Sequence, residues 1–265
     1  MLKKLFRYDF SAIGRYMVPT SIAVIGTSVV GMIFMRVMMQ YRDLNPILMM
    51  LSVFTVIVSV LAIAAYMLLS VIWIVRRYYT NFFSDEGYLT FTLPVRVSAL
   101  LNAKVLSGIV WSLISALITF LCFGMVFVIG TAEEGIINRE LVFAFRELVS
   151  ALVSSGETVL LTLEAIVLSF VSLIQSIMLI FGAVTVGSIL AKKHKILAAI
   201  GVFYIANFIQ GIISNIFTSL FLFTNELYFW QVHGYLILMI VLYVAFATAY
   251  YLLNRYFLNR KLNLQ

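Results

Sequence analysis

Six long apolar runs make up most of this chain. They cover approximately residues 17–39, 47–75, 98–130, 159–190, 196–222 and 235–254. Each run is long enough for a helix to cross the hydrocarbon core of a bilayer, which takes about 20 residues. Helix is the expected conformation because every backbone amide in hydrocarbon must be hydrogen-bonded within its own segment. A membrane-spanning β-barrel would alternate apolar and polar residues in units of about ten, and the sequence lacks that pattern.

The overall composition excludes a soluble protein. Apolar residues make up 63% of the 265 positions and charged residues 11%, and the mean hydropathy is +1.09. Soluble domains contain about 45–50% apolar and about 25% charged residues. A compact soluble fold would leave much of this apolar surface in water, where it would aggregate. We therefore predict an all-α integral membrane protein that forms a single domain over residues 1–265 with six transmembrane helices.

The distribution of charge predicts the orientation in the membrane. Most of the 18 basic residues fall on one predicted side: Lys3, Lys4, Arg7, Arg15, Arg76, Arg77, Arg96, Lys104, Lys192, Lys193, Lys195, Arg255, Arg260 and Lys261. The opposite loops hold acidic residues: Asp43, Glu133, Glu134, Glu140, Glu147, Glu157 and Glu226. The positive-inside rule then predicts that both termini are cytoplasmic. Topology and anionic lipid account for the net charge of +7, so we expect a lipid bilayer and no nucleic acid as partner.

Two segments outside the spans have amphipathic patterns. In residues 1–16, the apolar side chains Leu2, Leu5, Phe6 and Phe10 fall on one side of a helix, which predicts a short helix in the cytoplasmic interface. The alternative is an unstructured basic tail. Residues 131–158 also show helical spacing and are predicted to form an extracellular amphipathic segment, which either covers an exit from the membrane or rests on the headgroups.

The motifs of common enzymes and metal sites are missing. The string from Gly182 to Ser188 lacks the lysine of a phosphate-binding loop and is better explained by close helix packing. His194 and His233 fall on opposite predicted sides of the membrane, so they cannot share a metal ion. The single cysteine, Cys122, lies in an apolar run and is expected to be a small hydrophobe. We predict a chain without an active site, a cofactor or a metal of its own.

Four polar residues within or beside the spans are candidates for a translocation pathway: Arg36, Glu164, Asn207 and Gln210. Polar groups are costly in hydrocarbon, so their presence needs an explanation. Arg36 could instead extend to the headgroups, and Glu164 lies within about two helical turns of the predicted outer surface. The polar residues of the fifth run either face another helix or mark a helix that breaks and re-enters the membrane.

A short polar segment between the second and third spans, 76–97, differs from the rest of the chain. Its central part reads SDEGYLTFTLP over residues 84–94. Gly87 permits a sharp bend, and Pro94 favours an extended residue before it. Aromatic and aliphatic side chains beside carboxylates and threonines are typical of protein contacts. The segment is therefore predicted to bind another protein on the cytoplasmic side, and the alternative is a row of aromatic side chains at the headgroup level.

These features together resemble the permease subunits of ABC-2-type ATP-binding-cassette exporters. The resemblance rests on the amphipathic N-terminus, the six-span layout and the string EGYLTFTLPV, followed by a basic residue and Lys104. Many bacterial members have a similar E-G-T/Y-L…T-L-P-V/I segment between spans two and three. No second signature is evident in spans five and six, so the subfamily stays open.

The resemblance implies a division of labour between separate subunits. This chain would form half of a translocation pathway, completed by a second permease that is either identical or paralogous. A cytoplasmic ATPase subunit would bind ATP and Mg²⁺ and would contact the coupling helix in segment 76–97. The contact residues that the resemblance implies are Asp85, Glu86, Gly87, Tyr88, Leu89, Thr90, Phe91, Leu93 and Pro94.

Other functions remain open at the level of sequence. The chain could be a membrane assembly or sensor subunit that binds a cytoplasmic partner without transporting anything. An ion-coupled carrier is disfavoured because intramembrane carboxylates are scarce. The resemblance implies a multi-pass protein of a bacterial plasma membrane, and nothing in the residues selects a substrate.

Overall fold

The structure is a computed structural model that describes most of the chain. The described residues are 2–40, 45–84, 87, 95–129, 143, 146–147, 149–191, 193–221 and 228–260. Within these ranges 95% of the residues are helical and there are no strands. The prediction of an all-α fold is confirmed.

Six long helices carry the fold. They are α1 (Leu2–Gln40), α2 (Pro46–Phe83), α3 (Val97–Phe123, continued by a π-helical segment Gly124–Ile129), α4 (Gly156–Leu190), α5 (Lys195–Phe221) and α6 (Phe229–Arg260). All six are long and apolar enough to cross a membrane. Their lengths exceed the roughly 20 residues that a perpendicular span needs, so these helices tilt in the membrane or extend beyond the hydrocarbon.

Several helix ends differ from the ends of the apolar runs. The first helix is continuous from Leu2 to Gln40, so residues 1–16 are not a separate element, and their interfacial position stays a prediction. The second helix extends eight residues beyond position 75, to Phe83. The fourth begins at Gly156 because Ser155 caps it, accepting a hydrogen bond from the Thr158 backbone N–H. Most of the predicted segment 131–158 lies outside the described residues.

The fifth helix decides between two sequence interpretations. Helix α5 runs unbroken from Lys195 to Phe221. It does not break and re-enter the membrane within these residues. The polar residues of this run therefore need helix partners or an exposed position.

The helices contribute to two compact units. One unit comprises 7–77 and 110–148, and the other comprises 1–6, 78–109 and 149–265. In the first, a buried cluster joins α1, α2 and α3 through Val24, Ile63, Tyr66, Cys122 and Val126. Cys122 is a free, buried side chain, in agreement with its predicted hydrophobic role. In the second unit, α4 packs against both α5 and α6.

Candidate functional site

The proposed coupling segment, 76–97, begins within α2, which ends at Phe83, and reaches Val97, the first residue of α3. Of its predicted contact residues, Gly87 alone lies within the described structure. Asp85, Glu86, Tyr88, Leu89, Thr90, Phe91, Leu93 and Pro94 lie outside the described residues. Gly87 is buried, and its backbone N–H donates to the carbonyl of Ser84 over 2.7 Å.

A buried polar cluster holds the last turns of α2 in place. It surrounds Tyr78, which lies five residues before Phe83, the last residue of the helix. We call it the Tyr78 cluster; it consists of Tyr78 in α2, Phe181 and Thr185 in α4, and Asn254 in α6. The Tyr78 hydroxyl lies 2.8 Å from Thr185 Oγ1 and 3.4 Å from Asn254 Oδ1. Its ring stacks on that of Phe181, with centroids 4.0 Å apart and an angle of 6° between the planes. These four side chains are almost completely buried.

The hydrogen bonds of the Tyr78 cluster form a directed chain. Thr185 Oγ1 lies 2.8 Å from Asn254 Oδ1 and 2.9 Å from the backbone carbonyl of Phe181; both oxygens only accept, so the single threonine proton is donated to one of these two. Tyr78 then donates to Thr185, because one hydroxyl has a single proton to give. Asn254 Nδ2 completes the chain by donating to the backbone carbonyl of Met178 over 3.3 Å. Each donor in the chain has an acceptor, and three helices are linked without a charge.

A second contact joins the two helices on either side of the coupling segment. Phe82 is fully buried at the end of α2, and Lys104 of α3 is 4% exposed. The Lys104 Nζ lies 5.1 Å from the centroid of the Phe82 ring. The attraction between an ammonium group and an aromatic face strengthens when water is excluded, to about 2 kcal/mol or more. The Phe82 ring also meets Tyr78 edge-on at 5.0 Å, so this contact continues into the Tyr78 cluster.

Gln210 is the best-partnered of the predicted pathway residues. It is 8% exposed in α5, and its Oε1 accepts a hydrogen bond of 2.7 Å from Gln175 Nε2 in α4. The Tyr250 hydroxyl of α6 lies 3.4 Å from the same oxygen. The interpretation that polar residues of this run face another helix is therefore correct for Gln210.

The other three pathway candidates lie in different environments. Asn207 is exposed on α5, three residues from Gln210. Arg36 is half-buried in α1 and belongs to the other compact unit. Glu164 of α4 pairs with His233 of α6, with Oε1 and Nδ1 2.7 Å apart and side chains 15% and 24% exposed. Within the unit that contains α4, Glu164 and Gln210 therefore have separate partners, and Asn207 is exposed.

The sequence did contain signals for the partners that the prediction missed. Gln175 is an amide within an otherwise apolar run, and Thr185 and Asn254 are polar residues in or beside predicted spans. Such residues are expected to pair with other helices. The pairing of His233 with Glu164 was not predicted, because Glu164 lies 69 positions earlier and only the fold brings the two side chains together.

The Tyr78 cluster links α2, α4 and α6 through uncharged hydrogen bonds and ring contacts. No group of three or more metal-binding side chains occurs among the described residues. Comparison with known proteins gives no further guidance, because no family model, curated protein or solved structure matches this chain.

Proposed function

We propose that this chain is the permease subunit of an ATP-driven ABC-2-type exporter in a bacterial plasma membrane. The sequence EGYLTFTLPV, placed between the second and third of six apolar helices, supports this assignment. The chain would form half of a pathway, and a second permease would supply the other half. ATP and Mg²⁺ would bind to a separate ATPase subunit, which would contact residues 85–94.

The observation that carries the proposal is the anchoring of the coupling segment at its start. Tyr78 and Phe82 hold the last turns of α2 to α3, α4 and α6 through buried contacts. Interiors packed in this way transmit displacement instead of absorbing it. A partner that moves the segment would therefore move the end of α2 together with α4 and α6. Transmission also requires that the partner contact the segment differently in its ATP-bound and ATP-free states.

The proposal is tested by disrupting the aromatic part of the segment. The full-length chain carrying Tyr88→Ala and Phe91→Ala is expressed in its native host and purified with its partners. We expect normal insertion, but loss of the co-purifying ATPase and of its vanadate-sensitive ATP hydrolysis. Buried aromatic anchors at interfaces contribute about 2 kcal/mol or more each, so the loss should exceed about tenfold.

A matched control removes two aromatic residues from the predicted opposite side. Tyr228 and Trp230 are 60% and 74% exposed, and the variant with Tyr228→Ala and Trp230→Ala should keep the ATPase. Equal ATPase recovery in both variants would refute the coupling assignment. Recovery of a partner without ATPase activity would favour the alternative of an assembly or sensor subunit.

A further inference from the structure

A basic cleft lies at the junction of α4 and α5. Its volume is about 440 Å³, and it is lined by Tyr79, Lys193, His194, Lys195, Ile196 and Leu197. All of these residues belong to one compact unit. The volume falls within the roughly 300–1,000 Å³ that is usual for sites of small molecules.

The charge of the cleft suits an anion. Its lining contains two lysines and no carboxylate, and within the described structure neither lysine forms a salt bridge. The first main-chain bond of α5 joins the Ala198 N–H to the His194 carbonyl over 3.0 Å. The backbone N–H groups of residues 195–197 come before this first bond, so no carbonyl within the helix accepts from them. Such a turn adds partial positive charge to that of the lysines.

The cleft also has an apolar side that a free anion would not need. Ile196 and Leu197 are 67% and 68% exposed, and Leu190 at the end of α4 is 70% exposed. These side chains continue the apolar surfaces of two helices that are long enough to span a membrane. Lys193 and Lys195 follow the end of α4, so positive charge and exposed aliphatic surface adjoin where two candidate membrane-spanning helices meet.

From this juxtaposition we propose that the cleft binds the phosphate headgroup of an anionic phospholipid. Lys193, Lys195 and the first turn of α5 hold the phosphate, and Tyr79 of α2 completes the lining of the cleft. The acyl chains run along Ile196 and Leu197. The site shares Tyr79 with segment 76–97, but it uses none of the proposed ATPase contacts at 85–94 and no partner subunit, so its test does not depend on the proposed exporter function.

The test measures lipid binding to the purified full-length chain. Delipidated protein in a neutral detergent is titrated with dioleoyl phosphatidylglycerol, and bound lipid is counted by native mass spectrometry. Replacing two lysines near a charged headgroup is expected to weaken binding about 30-fold. We therefore expect that loss for the Lys193→Gln, Lys195→Gln variant, and retention of binding for Lys193→Arg, Lys195→Arg.

The matched control removes the same charge elsewhere. Lys3 and Lys4 are exposed in the first turn of α1. Their replacement by glutamine should change the affinity for the lipid less than about twofold, because salt screens charges that lie more than a Debye length from the headgroup. Equal losses in the two glutamine variants would overturn the site. Thermal unfolding of each variant in the same detergent verifies that the chain is folded.

Two further arms separate the possible ligands. Millimolar inorganic phosphate should not displace the lipid, and Ile196→Ser with Leu197→Ser should weaken lipid binding. Displacement by phosphate, with no effect of the serines, would identify a free phosphate site and overturn the lipid assignment. Loss of a co-purifying protein from the Lys193→Gln, Lys195→Gln variant, with lipid binding intact, would assign the cleft to an acidic protein partner and equally overturn it.

Discussion

Replacing Tyr78 with phenylalanine removes one hydroxyl from the Tyr78 cluster and leaves its ring in place. The hydroxyl donates to Thr185 Oγ1 over 2.8 Å. Thr185 can still donate to Asn254, and Asn254 to the carbonyl of Met178. No donor loses its acceptor, and the stacking on Phe181 at 4.0 Å is retained. The substitution therefore removes only the contacts of one hydroxyl, the 2.8 Å hydrogen bond to Thr185 and the longer 3.4 Å contact with Asn254 Oδ1.

The expected loss in the free energy of unfolding follows from the removal of this one hydroxyl. Hydrogen bonds between helices in membranes contribute on average about 0.6 kcal/mol and at most about 1.7 kcal/mol. We expect Tyr78→Phe to lower the free energy of unfolding by about 1 kcal/mol. Tyr78→Ala also removes a fully buried ring, and truncations of that size cost about 3–5 kcal/mol. The ring should thus account for most of the stabilisation by Tyr78.

The measurement is equilibrium unfolding in mixed micelles of mild detergent and sodium dodecyl sulfate, followed by tryptophan fluorescence. A double-mutant cycle with Thr185→Val gives the coupling energy of the pair, expected near 1 kcal/mol. Tyr79→Phe is the control, because this neighbouring residue is half-exposed and surface substitutions change stability by less than about 0.5 kcal/mol. A coupling energy of zero, or a Tyr78→Phe variant as unstable as Tyr78→Ala, would refute the hydrogen-bond assignment.

Two other contacts of α4 give predictions for the same assay. A Cβ atom added at Gly187 would overlap the backbone of Ala199, so Gly187→Ala should cost about 1–3 kcal/mol by forcing α4 and α5 apart. Gly201→Ala, with open space around the new atom, should be neutral or stabilise by up to about 1 kcal/mol, and equal effects would contradict the close approach. Gln175→Leu leaves the Gln210 amide poorly paired and should cost about 1–3 kcal/mol, whereas adding Gln210→Leu should restore most of the loss. A double variant less stable than Gln175→Leu alone would show that the amide pair is not the reason for the cost.

The positions of the helices were largely predictable from hydropathy. The fifth run, 196–222, differs by one residue at each end from helix Lys195–Phe221, and the fourth run ends at Leu190 as the helix does. At the end of the fourth run the agreement has a simple cause, because only Ala191 separates Leu190 from the basic residues Lys192 and Lys193. Backbone pairing in lipid leaves helix as the one conformation available to such runs.

The extension of α2 was not predictable in the same way. Hydropathy falls at Arg76, yet the helix continues to Phe83. The Arg76 guanidinium lies 5.4 Å from the ring centroid of Tyr16 and 5.2 Å from that of Trp73, and Arg77 Nε lies 3.2 Å from Asp9 Oδ1. Two of these three partners are about 60 or more positions away in sequence. A polar helical turn stabilised by distant residues cannot be recognised from local composition.

The sequence identified polar residues of the candidate site, but it did not identify the residues with which they pair. Gln210 was recognised as a polar residue that requires an explanation, but its partners Gln175 and Tyr250 depend on the packing of three helices. Tyr78 was placed in a loop, since the local pattern assigned no helix beyond position 75. Its buried contacts with Thr185 and Asn254 span 107 and 176 positions, a separation at which single-sequence periodicity contains no information.

The described contacts also indicate how so apolar a chain selects its helix partners. Apolar side chains contact lipid tails about as well as they contact each other, so they contribute little to the choice between neighbours. In the unit that contains α4, the selective contacts are few and lie along that helix. Gln175 and Gly187 determine its approach to α5, and Thr185 determines its pairing with α6 and with the end of α2. Glu164 adds its pairing with His233 of α6. A change at any of these four positions of α4 should alter helix pairing more than the loss of a lipid-facing leucine.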